Sequence, residues 1–182
     1  MWDQISGKFV RNPSQQKVVK KMISIGLNVE MDMDRKLRIY CDGIEIKPNS
    51  IAEAISVDRR VVVETLRKIS EDSTLLEFFQ NLRPVCNLGM AGSKVGMGVI
   101  EILPDSASRS GIIAGVADII AREKISIRQV IGDDPDLVDN PKAILVTDVP
   151  VPPGMLARIK SVPGVRLLLY FSPQINFARS LP

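Results

Sequence analysis

The C-terminal half of the chain alternates between the hydrophobic periods of strands and of helices. Residues 111–124 place apolar side chains at helical spacing, and a second amphipathic stretch runs from Pro153 to a helix stop at Pro163-Gly164. Apolar, β-branched stretches predict strands at residues 95–103, 125–131, 143–149 and 165–171. The order strand, helix, strand, strand, helix, strand predicts a ferredoxin-like sheet with both helices on one face.

The N-terminal half has shorter apolar stretches separated by turn signals. A helix is predicted over residues 12–25, where Gly26 ends it, and a small β-ribbon is predicted over residues 27–46. The sequence predicts a connecting helix over Ser73–Leu82. This helix is too apolar to be surrounded by solvent, so we expect it to pack on one domain or against its partner in a dimer.

Residues 50–70 predict two amphipathic helices around a sharp turn. Ala52 is small enough for the helices to cross closely, and Asp58 can cap the second helix. Ser56 occupies the turn, and Val57 fills the angle between the helices. This spacing resembles the helix-turn-helix of DNA-binding regulators, in which glycine is usual at the turn and the second helix enters the major groove.

The small residues Gly-Met-Ala-Gly-Ser at 89–93 predict a linker. The sequence therefore predicts an α+β chain of two domains. The first, residues 1–88, is helix-turn-helix-like and includes the connecting helix; the second, residues 94–172, is the sheet domain. The tail after Ser172 is predicted to be irregular.

The predicted strands of the second domain are apolar on both faces, as in VRLLLYF at residues 165–171. A strand with one face in solvent alternates apolar and polar residues. The second face of the sheet should therefore be covered by another subunit or by the N-terminal domain. On this ground we expect a homodimer or a higher homo-oligomer.

Composition excludes several kinds of catalytic and metal site. The chain has no His, and its two cysteines, Cys41 and Cys86, lie far apart, so zinc sites of the Cys/His type, Cys-His nucleophiles and Ser-His-Asp triads are excluded. The aspartates at 133–139 lack the spacing of a calcium-binding loop and predict a solvated acidic loop. No apolar run approaches the roughly 20 residues that cross a bilayer, and the first residues do not resemble a signal peptide. We expect a cytoplasmic, non-enzymatic protein without a cofactor, with reduced thiols and no membrane partner.

The net charge of +3 is small, but the basic excess is confined to one end of the chain. Residues 1–70 hold 13 Lys and Arg against 9 Asp and Glu, whereas residues 71–182 hold 11 against 12. Any contact with nucleic acid should therefore involve the N-terminal part. The predicted DNA contacts are the outward residues of the second helix of the pair: Arg59, Arg60, Val63, Glu64, Arg67 and Lys68. The alternative is a helical hairpin with a solvated basic face.

Residues 105–128, DSASRSGIIAGVADIIAREKISIR, resemble the signature of ACT domains, the amino-acid-sensing modules of metabolic enzymes and regulators. Gly111 stands at the position of the family glycine, Ser110 stands where proline is usual, and Ser126-Ile127 stands where Asn-Ile is usual. The resemblance extends over residues 94–172. It agrees with the order of strands and helices derived above.

The resemblance implies that an amino acid binds at this loop, often between two subunits. Asp105 is expected to accept the ammonium group of the ligand, while the helix N-terminus attracts its carboxylate. Glycine at this point would let the backbone approach the ligand closely. The alternative is that Gly111 only shapes a turn in a dimerisation module. The ligand contacts implied by position are Asp105, Ser106, Ser108, Arg109, Ser110, Gly111, Ile112, Ser126 and Arg128.

The combination of a helix-turn-helix-like half and an ACT-like half resembles predicted regulators of amino-acid metabolism. It implies a homodimer whose affinity for DNA changes when an amino acid binds, through a shift between two dimer geometries. The alternative is an amino-acid sensor or dimerisation module without a DNA role, whose N-terminal half regulates a partner enzyme.

Overall fold

The structure, a computed structural model, describes residues 2–173 and 175–180. The chain divides into two compact units, Met1–Cys86 and Asn87–Pro182. Each unit contains one antiparallel sheet together with helices, so the fold is mixed α+β.

The first unit combines short helices with a three-stranded sheet. Its strands, in sheet order, are β1 (Asn28–Met31), β2 (Leu37–Cys41) and β3 (Ile44–Ile46). A 3₁₀ turn at Gly7–Phe9 follows the first helix. The helices are α1 (Trp2–Ser6), α2 (Pro13–Ser24), α3 (Pro48–Ala54), α4 (Arg59–Glu71) and α5 (Ser73–Gln80).

Local sequence signals set the ends of these helices. Proline occupies the first turn of α2 and of α3, where its missing N–H costs nothing. Asp58 caps α4 by accepting from Arg60 N at 2.7 Å, and Asp72 caps α5 by accepting from Leu75 N at 3.1 Å. The predicted helix at 12–25, the ribbon, the helix pair and the connecting helix are all present. Their buried faces form one core, whose largest members are Phe9, Met22, Leu27, Ile39, Ile69, Leu75 and Phe79.

The second unit consists of a five-stranded sheet and three helices in the described part of the chain. The helices are α6 (Gly89–Lys94), α7 (Ile112–Arg122) and α8 (Pro153–Lys160). The strands are β4 (Gly98–Pro104), β5 (Ile127–Gly132), β6 (Ala143–Thr147), β7 (Val165–Ser172) and β8 (Ile175–Ser180).

The sheet order is β5-β6-β4-β7-β8, and every neighbouring pair is antiparallel. Helices α7 and α8 pack together against one face of the sheet. The core between them and the sheet is aliphatic apart from Met155 and Tyr170. Because β4 and β5 are both antiparallel to β6, the C-terminal ends of β4 and β5 lie at the same end of the sheet, next to the N-terminal end of β6.

Two predictions for this unit were wrong. Residues 89–93 are not a linker, because Gly89–Lys94 forms helix α6. The residues after Ser172 are not irregular, because Ile175–Ser180 forms β8 and pairs with β7. Residues 174, 181 and 182 lie outside the described residues.

Helix α6 also covers part of the second face of the sheet. Val99, Ile144 and Val146 are buried there, and the partly buried Leu88, Met97 and Phe171 pack against them. A Cβ added to Gly92 would lie 3.3 Å from Val146 Cγ1. The expectation that another subunit or the N-terminal domain covers this face was therefore wrong at Ile144 and Val146. The homo-oligomer stays a prediction without that support.

Candidate ligand site and candidate nucleic-acid surface

Ser56 lies in the turn between α3 and α4. Ser56 has a φ of +54°, in the left-handed region that glycine favours. Val57 N donates to Ala52 O at 3.0 Å, and Ala52 is buried where the two helices cross. The sharp turn thus aims α4 away from α3, with Val62, Thr65, Leu66 and Ile69 facing the core.

The structure separates the predicted DNA contacts on α4 into different surfaces. Arg59, Val63 and Arg67 face the β2–β3 ribbon. Arg60 and Glu64 lie on another side, near the N-terminus of α2. The Lys68 ammonium lies over the Phe9 ring, 4.7 Å from its centroid, so it packs within the unit.

The exposed stripe of α4 formed by Arg60, Glu64, Arg67 and Glu71, which we call the outer ridge, is electrically balanced, and Arg67 also borders the ribbon. The Arg67 guanidinium donates to Glu64 at 2.9 Å and to Glu71 at 2.7 Å. These hydrogen bonds, strengthened by the two negative charges, raise the pKa of Arg67 above its ordinary value. Arg60 is the other cation on this ridge and makes no ion pair among the described residues. The ridge therefore carries two cations, Arg60 and Arg67, and two carboxylates, Glu64 and Glu71. In a DNA-reading helix this is the surface that would face the major groove.

A basic groove lies between the ribbon and α4, and we call it the ribbon groove. It has a volume of about 500 Å³, and Glu45 is the one carboxylate among its described lining residues. Apolar residues of β2, β3 and α4 form part of its lining. Its lining cations are Arg35, Lys36, Arg38, Lys47, Arg59 and Arg67.

In the second unit a cavity of about 210 Å³ opens at the N-terminus of α7, and we call it the α7 cavity. Of the predicted ligand contacts, Arg109, Gly111 and Ile112 line it. Ile113 and Ala114 line it as well, so the first turn of α7 borders the cavity. No side chain caps this helix, so its first N–H groups are available to an acceptor.

Gly111 allows the backbone to adopt a left-handed conformation at the start of α7. Its φ is +88°, in the left-handed region. An added Cβ would find no atom within 4 Å, so the glycine is not required by close packing within the chain. The residue is therefore needed for its φ, and a side chain at this position would extend into open space at the cavity lining.

The Asp105 carboxylate, which was expected to accept the ammonium group of a ligand, is hydrogen-bonded within the chain. Its carboxylate accepts from Arg109 at 2.7 Å and from Ser106 N at 2.7 Å, and Asp105 does not line the α7 cavity. Ser106, Ser108 and Ser110 are exposed and lie outside the lining too. The loop thus contributes one cation and backbone groups to the cavity, with few polar side chains.

Ser126 and Arg128 are not brought to the α7 cavity within one chain. Ser126 precedes β5 and donates through its backbone N–H to Asp148 at 3.2 Å, beside the end of β6. The cavity borders the opposite end of β5, at Gly132. At about 3.3 Å per residue, the six steps from Ser126 to Gly132 span roughly 20 Å.

Other lining residues come from the β5–β6 connection, which sequence reasoning assigned to a solvated loop. Asp133 and Lys142 both line the cavity. The two close the hairpin, since Asp133 N donates to Lys142 O at 2.9 Å and Lys142 N donates to Asp133 Oδ2 at 3.2 Å. The Lys142 ammonium also donates to the buried Glu101 carboxylate at 2.7 Å. The signal that could have found them is strand order, because a β4–β6 pairing places the start of β6 beside the end of β4.

Within the described residues, no group of three or more His, Cys, Asp or Glu side chains is arranged to hold a metal ion. The same part of the chain contains no helix that is both long and apolar enough to span a bilayer. No protein-family model matches the chain, and no curated protein is significantly similar to it.

Proposed function

We propose that this protein is a ligand-responsive regulator of amino-acid metabolism, which binds an amino acid in the α7 cavity and DNA through its first unit. The observation that carries the proposal is the α7 cavity itself. It joins an uncapped helix N-terminus to two cations, Arg109 and Lys142, and one carboxylate, Asp133, at a site of about 210 Å³.

The architecture of the second unit supports an ACT-like interpretation. The element order β4-α7-β5-β6-α8-β7, with the strands ordered β5-β6-β4-β7, supports a ferredoxin-like fold for this unit. ACT domains share that topology, and the residues that resemble their signature form the loop before α7 and the helix itself. A shared fold alone does not imply a shared ligand, so the cavity has to supply the chemistry.

The cavity has groups of both signs, as a zwitterion requires. The N–H groups of the first turn of α7 and the nearby Arg109 favour a carboxylate. Asp133 lines the same cavity and can accept from an ammonium group, a role the sequence had assigned to Asp105. Ile102, Ile112 and Ile113 provide an apolar wall for a side chain. The small volume favours a metabolite below drug size.

The first unit supports the DNA half of the proposal. Helices α3 and α4 meet at a sharp left-handed turn, as in a helix-turn-helix, and Asp58 caps the second helix. Arg59 and Arg60 are exposed in its first turn and make no ion pair among the described residues. These two side chains are therefore available to phosphates.

A second candidate is an amino-acid sensor that binds no DNA and regulates a partner enzyme. The balanced ridge of α4 favours it, because Glu64 and Glu71 would face the DNA phosphates. The two candidates share the α7 cavity and differ in the first unit.

The experiment that tests the amino-acid proposal is a thermal-shift screen of the full chain against the twenty amino acids. A ligand at 100 times its Kd stabilises the folded state by about 2.7 kcal/mol, which raises the unfolding midpoint by several degrees. Gly111→Leu should abolish the shift by placing a side chain at the cavity. Gly96→Leu is the matched control, because Gly96 has a φ of +97°, equally open space around its Cβ and no place in the cavity lining.

Both variants carry the same kind of backbone strain, so a shift lost only in Gly111→Leu assigns the ligand to the α7 cavity. No shift with any amino acid would overturn the amino-acid proposal. A shift that survives Gly111→Leu would place the ligand elsewhere.

A further inference from the structure

We propose that the ribbon groove holds the phosphate backbone of duplex DNA, so that the β2–β3 ribbon contacts DNA beside α4. This inference rests on the proposed DNA function and extends it to a surface outside the helix pair. The sequence prediction placed every DNA contact on α4.

The outer ridge of α4 and the ribbon groove differ in their charge. Arg67 is shared between Glu64 and Glu71, so the outer ridge has little net attraction for DNA. Arg67 borders the ribbon groove as well, but without it the groove is still lined by five cations and one carboxylate, Glu45. Non-specific affinity for DNA comes from contacts between cationic side chains and phosphates. In this unit the groove is the surface whose cations can make such contacts.

The five groove cations other than Arg67 fall into two sets. Arg38 donates to Asp32 at 3.0 Å and to Glu45 at 3.2 Å, and Lys47 donates to Glu45 at 2.8 Å. These hydrogen bonds raise the pKa of Arg38 and, with Lys47 first, lower the pKa of Glu45. Arg38 thus links β2 to β3, whereas Lys47 is paired with a carboxylate two residues before it.

The second set is free to bind. Arg35, Lys36 and Arg59 are exposed, line the groove and make no ion pair within the described residues. Arg35 and Lys36 come from the ribbon, and Arg59 comes from the first turn of α4, so they approach the groove from two sides. A chain of phosphates could contact all three, whereas a single small anion would not need cations on both elements.

Duplex DNA also suits the position of the groove. The ribbon flanks a helix that leaves a sharp turn at Ser56, and helix-turn-helix proteins use elements beside the second helix to contact the DNA backbone. An acidic peptide is the rival occupant, since part of the groove lining is apolar. Binding to duplex DNA, measured over a range of salt concentrations, separates the two.

The test measures binding of the full chain to a labelled generic duplex of about 25 base pairs by fluorescence anisotropy, over a range of salt concentrations. Arg35→Asn with Lys36→Gln removes two ribbon charges, and Asn suits the left-handed φ of +58° at residue 35. Lys17→Gln with Lys94→Gln removes two charges from exposed positions outside the groove and is the control. Arg59→Gln reports on α4.

If the ribbon holds phosphates, the double ribbon variant should reduce the slope of log K against log salt by about 1.8, or 0.9 for each lost contact. Affinity at 50 mM salt should fall about tenfold per contact, while the control pair changes little. Arg59→Gln should reduce the slope by about 0.9.

Each other outcome overturns the inference in a distinguishable way. If Arg59→Gln weakens binding and the ribbon variant matches the control, the proposed DNA function stands and the ribbon contact is wrong. If the control pair weakens binding as much as the ribbon pair, the attraction is diffuse and the groove is not a site. If the wild-type chain binds no duplex at low salt, with or without the amino acids, the DNA function itself fails and the groove proposal fails with it. The groove would then suit an acidic peptide.

Discussion

Replacing Tyr170 with Phe should destabilise the second unit by removing one oxygen atom. Tyr170 Oη accepts a hydrogen bond from Val151 N at 2.8 Å, and the two residues are 3% and 4% exposed. Val151 lies between β6 and α8, so this bond ties that connection to β7. In the variant the Val151 N–H stays buried without its acceptor, which costs about 1–3 kcal/mol. For a unit of about 100 residues, each kcal/mol lowers the unfolding midpoint by roughly 4–8 °C.

The assay is urea unfolding combined with amide hydrogen exchange. The free energy of unfolding of the second unit should fall, and the Val151 amide should exchange faster than in the wild type. Tyr40→Phe is the control, because Tyr40 is half-buried in the other unit and its hydroxyl makes no hydrogen bond within the described residues. A loss below about 0.5 kcal/mol, with Val151 still protected, would refute the reasoning that this bond satisfies a buried donor.

Two further predictions concern the first unit. Ser56→Gly should stabilise it by about 0.5–1 kcal/mol, because relief of the left-handed strain exceeds the added chain entropy of glycine in the unfolded state; denaturant unfolding checks this, and a loss of stability would contradict it. The Lys8 ammonium and then the Leu75 N–H lower the pKa of Asp72 below 3.8, so its contribution is complete above that value and is lost as the pH falls through the lowered pKa. Asp72→Asn should therefore be less stable than wild type at neutral pH and equal to it in acid, and a gap that persists in acid would sink the assignment of the effect to charge.

The regular elements could be predicted because their signals are local. The period of apolar residues, the proline at the start of α2 and the caps at Asp58 and Asp72 act within one turn of chain. A sharp turn at Ser56 was predicted from its place between two amphipathic helices, and its left-handed φ is a finding of the structure. Such features need no knowledge of distant contacts.

Helix α6 could not be predicted from local signals. Gly89 and Gly92 disfavour a helix, and their small size predicted a linker. The same small size lets the helix lie close against the sheet, where Gly92 approaches Val146 and Met97. Packing against the sheet thus outweighs the low helix propensity of glycine. The position of α6 also explains why the apolar second face of the sheet needs no partner at Ile144 and Val146. Strand β8 was missed for a related reason, since it is formed by pairing with β7.

The candidate site was predicted only where it lies on one stretch of chain. Arg109, Gly111 and Ile112 precede or begin α7, and the resemblance to ACT domains had named them as expected ligand contacts. Asp133 and Lys142 arrive through the β4–β6 and β5–β6 registers, which are long-range pairings. The ion pairs of Arg67 with Glu64 and Glu71, in contrast, follow helical spacing and could have been anticipated from the sequence.

The most direct test of the central claim is an NMR titration of the ¹⁵N-labelled full chain with the amino acid that gives the largest thermal shift. The account predicts amide shifts concentrated at Ile112, Ile113, Ala114 and Asp133, which surround the α7 cavity. It also predicts that these shifts are absent in Gly111→Leu and retained in Gly96→Leu. Saturable shifts clustered anywhere else, or none at all, would contradict the claim that this cavity is an amino-acid site.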